Sequence, residues 1–253
     1  MGTTFTEDFD DGLDLDRWLP SYLPHWSSRA AAAATWTTEA SSLVLSIPSE
    51  HGLWCEATHQ MPLRVSGIQS GVFSGPAGST VGQQPFADGL VVREEQPFWA
   101  GWTWDGGRLE VTARMDLSPR SMASVWMIGL EDKPERCGEI CLFEVFGDSI
   151  RPGAAAVGQG VHPFRDPALT EDFEAPLRQI DVGQWHTYAA DWRTDRVDFF
   201  VDGDLTRSVG QSPSYPMQMM IAIFDFPERA TPDDVGHVPR LFVDEIRGMA
   251  SPA

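Results

Sequence analysis

The chain is poor in features that would place it by elimination. Basic residues are scarce, 18 Lys and Arg against 37 Asp and Glu, for a net charge of −19. Nucleic-acid binders need clustered cations to neutralise phosphate, so that class is excluded. The same field disfavours sulfated or uronate-rich polyanions as partners. The opening MGTTFTEDFDDGLD has neither a basic n-region nor an apolar h-region, so no secretory leader is expected there. No stretch approaches the roughly 18 apolar residues of a membrane helix, and no membrane partner is expected. The three cysteines, Cys55, Cys137 and Cys141, form no disulfide framework and no zinc spacing, and they decide no compartment. Helical periodicity over 12 residues or more is missing, as is any internal repeat. Tyrosine is rare, at three residues.

Tryptophan is abundant by contrast, at ten residues, more than a core of this size needs. Some should line a surface where flat apolar faces stack on a ligand. Hydrophobic residues make up 42% of the 253, enough for a large core. SSLVLSIP, GRLEVTARMDL, GEICLFEVFG, WHTYAADW, RVDFFVDG, MQMMIAIF and RLFVDEIR mix β-branched, aromatic and aliphatic residues and end at turn formers. That pattern predicts strands throughout, hence an all-β sandwich of two antiparallel sheets. No linker divides it, so residues 1–253 are read as one domain and a monomer is expected. The stretch from Arg151 to Val182, rich in Gly, Pro and Asp, reads mostly as a loop of functional length.

One strand carries chemistry. In Gly138–Gly147, simple alternation puts Glu139, Cys141 and Phe143 on one face and Ile140, Leu142 and Glu144 on the other. Glu144 would then enter the core, where an unpaired carboxylate costs several kcal/mol. A β-bulge after Cys141 removes the conflict by returning Glu144 to the face of Glu139. The pair then behaves as i and i+4, with backbones about 13 Å apart at roughly 3.3 Å per residue. Side chains leaning together would leave roughly 5 Å between carboxyls. Retaining glycosidases hold their two carboxyls about 5–5.5 Å apart, so the spacing selects that mechanism. The plainer alternative is two solvated surface charges; the apolar setting of Ile140, Leu142, Phe143, Val145 and Phe146 weighs against it.

At these residues the sequence resembles glycoside hydrolase family 16, the laminarinase, lichenase and agarase group. Its Glu-x-Asp-x-x-Glu strand appears here as EICLFE. FTEDFDDGLDLDRW is similar to the family's opening strand, GRLEVTARMDL and ASVWMIG to the strands before the catalytic one. QWHTYAADWRTDRVDFFVDG is similar to its late hairpin and RLFVDEIR to its closing strand.

The resemblance implies a concanavalin A-like β-jelly roll whose concave face is a glycan cleft, and a polysaccharide as partner. Glu139 would be the nucleophile and Glu144 the general acid/base. The longer, bulged motif implies a laminarinase-type endo-β-1,3(4)-glucanase. A β-galactan hydrolase, or a carbohydrate-binding protein with impaired turnover, are the alternatives. The departure is Cys141, a neutral thiol where the family has Asp. His162 matches a His near the cleaved bond, and Trp126 a Trp flooring the site. Trp26, Trp99, Trp102, Trp104 and Phe146 are candidates for stacking, and Arg93 and Arg151 for sugar hydroxyls. No cofactor is expected for catalysis. A structural Ca²⁺ would use Asp244, with Asp8 and Ser42 near the carbonyl donors.

Overall fold

The computed structural model describes residues 4–250, and each run that alternation predicts as a strand is one. The outer sheet has eight strands: β1 (Thr4–Glu7), β2 (Trp36–Glu39), β3 (Ser42–Ser46), β5 (Gly107–Asp116), β10 (His186–Trp192), β11 (Val197–Val201), β12 (Asp204–Val209) and β14 (Arg240–Met249). The inner sheet has six: β4 (Arg64–Gln69), β6 (Ser121–Gly129), β7 (Glu139–Phe146), β8 (Gly158–His162), β9 (Asp172–Glu174) and β13 (Met217–Asp225). The outer order is β12-β11-β10-β5-β14-β3-β2, with β1 also on β14; the inner order is β9-β8-β7-β6-β13-β4. All pairings between these strands are antiparallel. Among the described residues no helix is long and apolar enough to cross a membrane.

Burial explains which sheet carries the site. Strand β5 alternates buried and half-buried residues along its whole length, as a sheet with one wet face should. Strands β6 and β13 are buried at every position. One face of β6, with Ala123, Val125 and Met127, packs into the core between the sheets. Its other face, with Met122, Trp126 and Ile128, joins a second apolar cluster that includes Leu23, Trp26, Trp54 and Val92. Chain from the N-terminal third therefore folds over the inner sheet and builds walls on its concave face.

The stretch from Arg151 to Val182 is mostly loop, as expected, but it also carries strands that alternation does not show. It holds β8 and β9, and β8 is the direct neighbour of the carboxylate strand β7. Glycine hides β8, because Gly is a weak strand former. It is required there: a Cβ on Gly158 would come within 2.4 Å of the Phe173 ring on β9.

Candidate active site

The bulge expected after Cys141 is present. Cys141 pairs with Trp126 and Phe143 with Val125, so Leu142 is the extra residue on β7. Beyond it Glu144 lies opposite Ser124, while Phe143 and Val145 enter the core, where Phe143 packs on Tyr188 with ring centroids 4.4 Å apart. Glu139 and Glu144 then line one open cleft of about 280 Å³, with Tyr22, Gln84, Met122, Ser124, Trp126, His162, Phe164 and Phe224.

Side chains from both flanking strands stabilise the bulge. Leu142 O accepts from Gln159 Nε2 at 2.9 Å, and Phe143 O accepts from Ser124 Oγ at 2.9 Å. Gln159 is buried on β8, and its own Oε1 accepts from Thr206 Oγ1 on β12 of the other sheet at 2.7 Å. Thus the backbone turn that aims Glu144 is tied across the sandwich. Gln159→Leu would leave the Leu142 carbonyl buried without that donor, a loss of roughly 2 kcal/mol. That corresponds to a Tm lower by roughly 4–8 °C. If the clamp aims Glu144, kcat also falls while KM changes little; calorimetry with steady-state kinetics checks both.

Burial dominates the electrostatics. It pushes Glu139 well above the usual carboxylate range, and the negative charges of Glu144 and Glu171 push the same way. Glu144 is also raised by burial, and the nearby His162 partly offsets this. His162 lies opposite Glu139 on β8, with Nε2 4.0 Å from Glu139 Oε1 and Nδ1 2.8 Å from Glu171 Oε1. Cys141 is buried between the glutamates with Sγ 3.9 Å from Ser124 Oγ, and burial drives its thiol well up, so it stays neutral. Tyr22 is held as a phenol by burial and by the charge of Glu139.

Of the predicted site residues, Glu139, Cys141, Glu144, His162 and Trp126 come together. Trp126 is buried beneath the cleft, and its indole N–H meets no acceptor among the described residues. Phe146 is on the same face one step past Glu144, stacked on Phe226 at 6.2 Å, but it does not line the cleft. Other expectations need correcting. Trp26 is buried and donates to Gln83 O at 2.8 Å, so it packs rather than stacks on a ligand. Trp102 and Trp104 stack on each other at 5.8 Å, and Trp102 on Phe5 at 4.4 Å, in a cluster away from the cleft. Trp99 lies on a two-residue strand outside it, at Trp99–Ala100. Arg93 is exposed and absent from the cleft wall, and Arg151 binds carbonyls of its own turn.

Ser42 Oγ donates to Asp244 Oδ1 at 3.0 Å, whereas Asp8 is exposed and accepts from Asp10 N in its own loop. No cluster of three His, Cys, Asp or Glu suited to a metal occurs among the described residues. Asp244 is thus held by the Ser42 hydroxyl, and a calcium ion there would draw its further ligands from backbone carbonyls. Sequence reasoning missed Tyr22, Gln84, Phe164 and Glu171, which arrive from loops. Only the positive φ of Gln84 and Phe164, both 46°, marks them, and that is a structural signal.

The family model for glycosyl hydrolases family 16 matches residues 104–236. No curated protein sequence matches the chain. Among solved structures, a GlcNAcα1-4Gal releasing endo-β-galactosidase from Clostridium perfringens superposes with a TM-score of 0.82 at 23% identity. The match covers 96% of this chain and 61% of that one. The laminarinase catalytic domain from Thermotoga maritima matches with a TM-score of 0.65 at 15% identity, over 100% and 99% of the two chains. A laminarinase from Flavobacterium sp. UMI-01 gives 0.64 at 18%, over 97% and 98%. At these identities the likeness establishes the jelly-roll fold.

Proposed function

Because this chain belongs to glycosyl hydrolases family 16, we propose that it is a retaining endo-glycoside hydrolase of a neutral β-linked glycan. The observation that carries this reading is the bulge at Leu142, which turns Glu144 into the cleft that Glu139 already faces. Glu139 attacks the anomeric carbon while Glu144 protonates the departing oxygen; water, deprotonated by Glu144, then releases the sugar with its configuration restored. Trp126, buried beneath the cleft, floors the reacting sugar. His162, tied to Glu171, lies beside Glu139 and offsets part of the upward shift on Glu144.

The preferred linkage is β-galactosidic. The superposition on the clostridial endo-β-galactosidase, 0.82 against 0.65 for the Thermotoga laminarinase, supports it over the laminarin-type reading. The glucan reading is supported by the full-length match to laminarinases. Reducing-sugar release from laminarin, barley glucan, agarose, porphyran and neutral β-galacto-oligosaccharides separates the two. Binding without release from any of them would make the chain a carbohydrate-binding protein instead.

Cys141 is expected to limit rate rather than abolish it. A thiol is a weak donor, whereas a protonated Asp at this place would give the Glu139 carboxylate a stronger hydrogen bond as it leaves in the second step. Cys141→Asp should therefore raise kcat about tenfold, the worth of roughly 1.5 kcal/mol. A slower or unchanged Cys141→Asp enzyme in steady-state assays would remove the thiol from the account.

A further inference from the structure

Among the described residues that line the cleft, His162 is the only basic side chain, in a chain of net charge −19. Its ring has neighbours on three sides. Nε2 lies 4.0 Å from Glu139 Oε1, Nδ1 lies 2.8 Å from Glu171 Oε1, and the Phe173 ring of β9 packs beside it with centroids 4.6 Å apart. Attraction between charges grows as their separation shrinks. Glu139 is the farther carboxyl and, because burial disfavours its charge, the weaker anion. Glu171 is therefore the partner that keeps the imidazole in place.

The segment that presents Glu171 is itself tied down. Arg207 of β12 pairs with Asp172 and, at 2.7 Å, with Glu174, so of the three acids on this segment Glu171 is the one that meets His162. The remaining titratable groups around the ring are accounted for. On the same side of β7 are Glu139, Cys141 and Glu144, and Tyr22 lies on the cleft wall. In the loop after β8, Arg165 is turned to Glu131 and Asp166 to Tyr215.

We propose that Glu171 is a positioning residue for the acid/base: it holds His162 where the charge of the imidazole bears on Glu144. This rests on the glycosidase reading and deepens it. Burial raises Glu144, and His162 offsets part of that rise. The charge of Glu171 itself pushes Glu139 up. The two routes therefore differ in residue and in sign. Acting through His162, loss of Glu171 raises Glu144; acting only as a like charge, its loss lowers Glu139. The second chemical step needs Glu144 as a carboxylate to take a proton from water. A Glu144 raised further is ionised in fewer molecules, and the covalent intermediate lasts longer.

Carboxyl NMR of the full chain, labelled with ¹³C at glutamate, reads Glu139 and Glu144 as pH is varied and needs no substrate. Their signals are identified by their loss in Glu139→Gln and Glu144→Gln. Glu171→Gln, at an exposed position, should move the titration of Glu144 to higher pH. It should not move it further up when His162→Gln is already present. On a dinitrophenyl glycoside, Glu171→Gln should lower kcat about tenfold while leaving the burst rate unchanged, and Glu171→Asp should restore part of the loss. A Glu144 titration that stays in place in Glu171→Gln would overturn the positioning role, whether Glu139 moves down or only the Tm falls. Titrations that shift as expected in a chain that cleaves no glycan or aryl glycoside would refute the glycosidase reading and leave the hold of Glu171 on His162 standing.

Discussion

Glu139→Ala is expected to lower kcat on a polysaccharide by roughly 10⁴-fold or more, with KM little changed, because it removes the atom that forms the covalent intermediate. The substitution should not unfold the protein. Burial holds Glu139 well above its usual pKa, so its charged form is disfavoured where it sits, and removing it relieves that cost. Sodium azide supplies the distinguishing readout. A small anion entering the space of the lost carboxylate attacks the anomeric carbon in a single displacement, and the aglycone departs with the proton from Glu144. The product is a glycosyl azide of inverted configuration, and turnover of activated substrates returns. If azide has no effect while activity is lost, Glu139 acts in some other way.

Glu144→Ala should cost about 10³-fold on polysaccharides, whose leaving oxygen needs a proton. On a dinitrophenyl glycoside, whose leaving group departs as an anion, the first step should be nearly unimpaired. The second step then lacks its base, so a burst followed by slow turnover is expected. The pH profile gives an independent check. Burial raises Glu144, so it keeps its proton to a higher pH than a free Glu, and activity is lost as pH rises through that raised value. Glu139 must be ionised to attack. Its raised value means activity is lost on the acid side also at a higher pH than usual. Both carboxyls are raised, so both limbs of the bell are displaced upward, and Glu144→Ala should remove one of the two limbs. An enzyme whose bell sits at ordinary carboxylate values, or whose Glu144→Ala variant keeps both limbs, would contradict this assignment.

The bulge was legible in the sequence for a physical reason. Glu144 alternates into an apolar row, and a buried unpaired carboxylate is costly enough that the backbone must give way. Its clamp was not legible, because Gln159 and Ser124 reach the bulge carbonyls from two other strands and no local pattern records that meeting. Strand β8 was hidden by glycines whose purpose, clearance for Phe173, is a contact between strands. The tryptophans mark the limit of composition as a guide. Trp126 faces the cleft from β6, while Trp102 and Trp104 serve an aromatic cluster with Phe5. A flat apolar ring buries as readily in a core as beneath a sugar. Tyr22, and the Gln84 loop through Phe86, pack against the second apolar cluster, a contact that their own sequence does not record.

The most direct measurement is the anomeric configuration of the first product, followed by proton NMR during the initial minutes of hydrolysis before mutarotation. Two glutamates joined in one cleft by the bulge at Leu142 predict that the β-anomer of the new reducing end appears first and the α-anomer only later. Initial appearance of the α-anomer would mean a single displacement by water, and Glu139 could not be the nucleophile.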